Sequence, residues 1–192
     1  MPETKHSTQA PETKAMGETL EIPDKIIVSY HANVFTVKGP KGEVSKRILT
    51  PNVRCAIEGK HVSFTAAKAT KREKKIVFTT KAHIKNLFDG VTRGHIYKLK
   101  ICSGHFPMNV SVKNNLFEVK NFFGEAVPRK IQIPADVTVK VNAPEIVVEG
   151  IDLDKTAQAA ASIEQLVRRP GFDLNRFQDG IYITEKDGKL IK

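Results

Sequence analysis

The chain has 192 residues, enough for one or two domains at about 100–200 residues each. Lys and Arg total 31 against 21 Asp and Glu, a formal charge of +10, so an anionic partner is expected, with nucleic acid the leading candidate. Hydrophobic residues make up 40%, and no run approaches the roughly 18 apolar residues that span a bilayer, which excludes a transmembrane helix and points to a soluble chain.

Residues 1–16 hold Thr, Pro, Glu, Lys, Ser and Gln with almost no bulky apolar side chain, too little to offset ordering entropy, and a disordered arm is expected there. From Leu20 onward, short β-branched and aromatic runs alternate with Gly, Pro and Asn, the pattern of strands and turns. Ile26 to Tyr30 and Asn33 to Lys38 are the first two strands, Gly39-Pro40-Lys41-Gly42 turns the chain, and Val44 to Leu49 returns. Val53, Cys55 and Ile57 alternate with polar residues, as do Val62, Phe64 and Ala66 after the Glu58-Gly59-Lys60 turn, which gives a second hairpin. Lys68 to Lys75 reads as a charged loop and Ile76 to Thr79 as a short strand. Between Lys81 and Tyr97 the period changes: Ile84, Leu87, Phe88 and Val91 follow one helical face. Gly90 and Gly94 weaken that helix, each by about 1 kcal/mol relative to Ala.

Lys98 to Ile101, Met108 to Val112, Leu116 to Val119, Val127 to Ile133, Val137 to Val141 and Glu145 to Glu149 then read as strands. Asp152 to Val167 is an amphipathic helix with acids in its first turn, where the helix dipole favours them, and Pro170 ends it.

Two stretches copy each other. Phe35-Thr36-Val37-Lys38 and Phe117-Glu118-Val119-Lys120 are each followed after three residues by Gly-Glu, and the offset is constant, since 117 − 35 = 82 and 124 − 42 = 82. A period that long exceeds a solenoid unit and indicates two copies of one small domain. The expected fold class is α+β, a tandem duplication of a small antiparallel β-sheet packed against one helix. The expected boundaries are 17–97 and 98–184, with a tail at 185–192. Charge is uneven: residues 1–97 carry 17 basic and 9 acidic residues (+8), the remainder 14 and 12 (+2).

Four groups of residues are candidates for chemistry. The segment after the second helix has no counterpart in the first copy and combines Arg168, Arg169 and Arg176 with Phe172, Phe177 and Tyr182 around Gly171, Gln178 and Gly180. Arginines can pair with phosphate and aromatic planes can stack on unpaired bases, while the alternative is an extended tail whose rings pack on the sheet. Lys68, Lys71, Arg72, Lys74, Lys75, Lys81 and Lys85 form a cationic run, read as a solvated loop and helix start or as a salt-sensitive phosphate contact. Lys120-Asn121-Phe122-Phe123 puts two aromatics where the first copy has Lys38-Gly39-Pro40-Lys41, either to bind a partner or to pack. Cys102-Ser103-Gly104-His105 is the only Cys/His cluster, with too few ligands for zinc and no pattern placing a base beside a nucleophile, so neither catalysis nor a metal is expected. No phosphate-binding glycine loop is present, and no cofactor is expected. Cys55 and Cys102 fall in different copies with no signal-peptide pattern ahead of them, which points to a reducing compartment.

Several motifs in order carry a resemblance over positions 17–185: Val37-Lys38-Gly39-Pro40-Lys41-Gly42-Glu43, Gly90-Val91-Thr92-Arg93-Gly94 and His105-Phe106-Pro107-Met108-Asn109-Val110. Asn121-Phe122-Phe123-Gly124-Glu125, Gly150-Ile151-Asp152 and Phe177-Gln178-Asp179-Gly180-Ile181-Tyr182-Ile183 complete them. The chain resembles the large-subunit ribosomal protein six family, called ribosomal protein nine in the eukaryotic large subunit, and its Arg176-to-Tyr182 stretch resembles the archaeal and eukaryotic branch. The resemblance implies a duplicated α+β fold and no enzymatic activity. It implies a cytoplasmic location in the large ribosomal subunit, one copy per particle, on ribosomal RNA near the stalk base and sarcin-ricin region. Neighbouring ribosomal proteins and translational GTPases would lie nearby, and no membrane is implied. The second domain would be the main RNA anchor. The RNA-contact candidates are Arg168, Arg169, Gly171, Arg176, Gln178, Gly180, Tyr182, Lys186, Lys120, Phe122, Phe123, Lys71, Arg72 and Lys74. A free-standing RNA-binding assembly chaperone or regulator is the competing reading.

Overall fold

The computed structural model describes residues 16–48 and 51–191. Apart from Met16, the expected arm lies outside the described residues, as does Leu49 at the end of its expected strand. In chain order the elements are β1 (Met16–Glu21), β2 (Ile27–His31), β3 (Val34–Gly39), β4 (Gly42–Arg47), β5 (Val53–Glu58), β6 (His61–Ala66) and α1 (Lys71–Thr92). They continue as β7 (His95–Cys102), β8 (Asn109–Lys113), β9 (Leu116–Lys120), a 3-10 turn (Phe122–Gly124), β10 (Arg129–Gln132), β11 (Val137–Asn142), β12 (Glu145–Gly150), α2 (Leu153–Leu166), β13 (Gly180–Lys186) and β14 (Lys189–Leu190). The class is α+β, and every strand pair whose register is resolved is antiparallel.

The chain divides into two compact units. The first comprises the chain up to Asp24, Val28–Thr36 and Ser45–Lys85; the second takes Lys25–Ile27, Val37–Val44 and the chain from Asn86 onward. In the first, β6 lies between β1 and β5, and Phe35, Val53, Val62, Phe64, Ala66, Val77 and Ile84 are buried. In the second, α2 lies on β7, β12 and β13, over a core that includes Leu99, Phe117, Ile146, Ile163 and Ile181. Each of those large side chains contributes about 1.5–3 kcal/mol by leaving water.

The repeat in the sequence is repeated in the backbone. A three-stranded sheet of order β2-β3-β4 is matched by β10-β9-β8, and β1-β6-β5 by the β11-β12-β7 part of a five-stranded sheet. The hairpin turns agree residue by residue: Ala32 and Asn33 take φ 49 and 64, and Asn114 and Asn115 take φ 50 and 60, at the same offset (114 − 32 = 82). Two consecutive residues with positive φ form the tight turn whose twist suits a hairpin. In both copies the amide just past the third strand of this sheet returns to the second turn residue, Ile48 N–H to Asn33 O and Ile133 N–H to Asn115 O, each at 2.8 Å.

Three expectations need correction. Lys71–Thr92 is one continuous helix, so the charged loop at 68–75 ends at Thr70 and the strand at Ile76 to Thr79 does not exist. The β-branched run there suggested a strand, but Val77, Thr80, Ile84, Leu87 and Val91 share one buried face, and tertiary burial outweighs local propensity. Residues 95–97 belong to β7 rather than to the helix, which places position 97 inside a strand. Finally, the end of the chain is not a bare tail. β13 pairs with the edge of β7 left open by β12 and β14 pairs with β13, two strands without a counterpart in the first copy among the described residues.

Candidate nucleic-acid interface

The segment between α2 and β13 holds five of the fourteen RNA-contact candidates and β13 three more, and the second unit alone builds both. Asp152 caps α2 by accepting the Asp154 N–H at 2.9 Å, and the helix runs out at Val167. Its terminal carbonyls are held by Arg129, whose Nη1 donates to Leu166 O at 2.8 Å and Arg168 O at 3.3 Å. The same guanidinium grips Glu125 through both carboxylate oxygens, at 2.7 and 2.8 Å, and covers the Phe122 ring at 4.5 Å. The hydrogen bond and charge of Arg129 hold the Glu125 carboxyl below its ordinary range despite partial burial. One side chain therefore ties the end of α2 to the hairpin that carries Phe122 and Phe123.

The two aromatics of that hairpin part company. Phe122 is 1% exposed and belongs to the core, so its face is closed to any partner. Phe123 adopts φ 50, ψ 32, a left-handed conformation that costs a bulky residue about 1–2 kcal/mol. Its ring meets Phe172 at 5.6 Å and Phe177 at 6.0 Å, and Phe172 meets Phe177 edge-on at 5.1 Å. The Arg169 guanidinium lies 4.2 Å from the Phe172 ring centre and 5.4 Å from that of Phe123. Tyr182 enters from β13, half-buried, and its ring lies 3.1–3.2 Å from where a Cβ on Gly180 would stand, so Gly180 leaves the space the ring occupies. Burial pushes the Tyr182 hydroxyl above its ordinary pKa and keeps it protonated. Together Phe123, Glu164, Arg168, Arg169, Phe172, Leu174, Phe177 and Tyr182 line a cavity of about 210 Å³.

Asp179 anchors the loop that closes this cluster. It is 6% exposed, and one carboxylate oxygen accepts the backbone N–H groups of Gly104 at 2.5 Å and His105 at 2.9 Å. Its other oxygen pairs with His105 Nδ1. Burial alone would raise this carboxyl, but the three hydrogen bonds outweigh it and hold the group below its ordinary range. The Cys102-to-His105 stretch is thus a latch for the loop, with the His105 ring 5.2 Å from Phe177. No group of three or more His, Cys, Asp or Glu side chains suited to a metal occurs among the described residues.

The remaining candidates are dispersed. Arg168, Gly171, Arg176 and Gln178 are exposed around the loop, whose last turn closes through Arg176 N–H to Asp173 O at 3.1 Å. Lys186 is exposed at the end of β13, opposite Tyr97. Lys120 lies 3.5 Å from Glu118 at an exposed position. Lys71, Arg72 and Lys74 are exposed in the first turn of α1, in the other compact unit. Sequence reading missed Arg129, Asp179 and Glu164, because a lone charged residue acquires partners only through the fold. The short spacing of Glu125 and Arg129 was the one available signal.

A family model described as ribosomal protein L6 matches this chain twice, at residues 22–94 and 106–180, one match to each copy of the repeat. The chain belongs to the L6 family. Among curated relatives, the large ribosomal subunit protein uL6 of Methanosarcina mazei is 40% identical over 173 residues, covering 90% of this chain and 98% of that protein. The uL6 of Methanothrix thermoacetophila is 39% identical, covering 87% and 95% of the two chains, and that of Saccharolobus solfataricus is 38% identical, covering 90% and 96%. Members of the L6 family are structural ribosomal proteins rather than enzymes, which accords with His105 and Asp179 serving as a latch. No helix among the described residues is long and apolar enough to cross a membrane.

Proposed function

We propose that this protein is a structural constituent of the large ribosomal subunit, in the cytoplasm at one copy per particle, that binds ribosomal RNA near the stalk base, the sarcin-ricin region and the site where translational GTPases dock. Family membership and the uL6 relatives support the assignment to the large subunit. The observation that carries the RNA reading is the loop after α2, where Arg168 and Arg176 are exposed beside a half-buried Arg169 stacked on Phe172. Guanidinium groups neutralise phosphates, aromatic faces take unpaired bases, and the rigid sheet beneath fixes the spacing between RNA segments. Residues 98–184 are the main anchor, and Lys71, Arg72 and Lys74 in residues 17–97 add a sequence-independent contact.

Titrating the full chain against large-subunit RNA fragments at several salt concentrations tests this reading. Binding should weaken steeply with salt, and replacing Arg168, Arg169 and Arg176 by Gln should flatten the log–log slope by about 0.7–0.9 per lost phosphate contact. Affinity that does not change with salt would count decisively against it. Cosedimentation separates a permanent constituent, which stays with the mature subunit, from an assembly chaperone, which leaves it.

A further inference from the structure

The cavity beside α2 combines features that a phosphate alone does not explain. Its lining includes the rings of Phe123, Phe172 and Tyr182, the arginines Arg168 and Arg169, and two carboxylates: Asp179, already held by the Gly104 and His105 N–H groups and by His105 Nδ1, and Glu164. A volume of about 210 Å³ lies below the roughly 300–1,000 Å³ of drug-sized pockets and suits one flat ring system. The Glu164 carboxylate would repel a phosphate in this space but accepts from a ring edge that donates. Glu164 Oε1 already accepts the Ile183 N–H at 3.3 Å, which restrains the carboxylate and leaves Oε2 and the second lone pair of Oε1 to meet two ligand donors. Among the RNA bases, guanine places two donors side by side on its Watson–Crick edge, N1–H and the 2-amino group, the arrangement a carboxylate matches. Arg169, already stacked on Phe172 at 4.2 Å, is placed to meet the backbone of whatever nucleotide enters.

We infer that this cavity takes a single unpaired guanine of the bound RNA, stacked among the Phe123, Phe172 and Tyr182 rings with its donor edge on Glu164 and its adjoining phosphates on Arg168 and Arg169. The inference rests on the RNA-binding reading above and specifies it: recognition at this point is of one unstacked base, which a duplex does not present. Among the described residues the first copy has no counterpart of the segment after α2, so the site belongs to the second copy.

Fluorescence anisotropy with the full chain and labelled pentanucleotides tests the inference, using UUGUU, the same oligomer with inosine at the centre, and one with a central abasic site. The guanosine oligomer should bind about tenfold tighter than the abasic one, within the range that one stacked base contributes. The inosine oligomer, which lacks the 2-amino group, should fall between them. Glu164→Gln should bring guanosine and inosine level. Leu174→Trp, a change at an exposed residue lining the cavity, should lower guanosine to the abasic value without altering a buried ring. Equal wild-type affinity for guanosine and abasic oligomers would overturn the base site while leaving RNA binding intact. If no oligomer binds but a large-subunit RNA fragment does, the base site again falls; if the fragment also fails, the RNA reading falls with it.

Discussion

Removing the Asp179 carboxylate should loosen the loop that frames the candidate interface. In the folded protein this group accepts two backbone N–H groups, from Gly104 at 2.5 Å and His105 at 2.9 Å, while 6% exposed. Hydrogen bonds to a charged partner contribute about 1.5–3 kcal/mol each, so two at the lower end give about 3 kcal/mol for Asp179→Ala. The His105 side chain adds little to that figure because it is 46% exposed and solvent screens the pair. Asp179→Asn keeps the shape and one acceptor oxygen and should lose about half as much. Urea unfolding followed by circular dichroism reads both values. The pH dependence gives a second test with a definite sign. The folded-state pKa is depressed below its ordinary 3.8, so the stabilisation is present above that value and is lost as pH falls through the folded-state pKa. The wild-type advantage over Asp179→Asn should therefore be constant near neutrality and shrink below about pH 4. An Asp179→Ala protein within about 0.5 kcal/mol of wild type would refute the latch, since surface changes typically have effects of that size.

Three further outcomes follow from the same structure. Phe122→Ala removes a core ring that is 1% exposed and the surface under the Arg129 guanidinium, and should cost about 3–5 kcal/mol by chemical denaturation. Gly90→Ala should destabilise by more than about 2 kcal/mol even though Ala is the better helix former by about 1 kcal/mol, because the added Cβ would lie 2.1 Å from Ile151 O, a backbone atom that cannot swing aside; thermal melts of the two proteins decide it. Ala32→Asn should stabilise by about 0.5 kcal/mol, since Ala32 takes φ 49 where the second copy uses Asn114 at φ 50, and Asn tolerates the left-handed region better; a denaturant midpoint at or below wild type would speak against it.

Gly90 also shows the limit of reading a helix from its sequence. By propensity it is a weakness in α1, whereas in the fold it is the residue that lets the Ile151 carbonyl approach. The run Ile76-Val77-Phe78-Thr79 shows the same limit, for it has strand composition and lies in a helix, with Val77 buried and Phe78 51% exposed. Local preference is worth tenths of a kilocalorie per residue, and burial of one face outweighs it. At the candidate site, the arginine-aromatic segment after α2 was legible because its residue types are distinctive. Its anchors were not, because Asp179 lies 74 residues from His105 along the chain and meets it only through the pairing of β13 with β7.

The amino-acid sequence by itself determined the duplication, the α+β class, the positions of most strands and the family. These follow from alternation, turn residues and the constant offset of 82, which are properties of local stretches and their order. Tertiary structure alone decided that β13 and β14 extend the second sheet, that Phe122 turns inward while Phe123 joins Phe172 and Phe177, and that Glu164 comes to line a cavity with them. Those contacts join residues far apart in the chain, and pairing of that kind is set by which surfaces can be buried together, a quantity no single stretch of sequence contains.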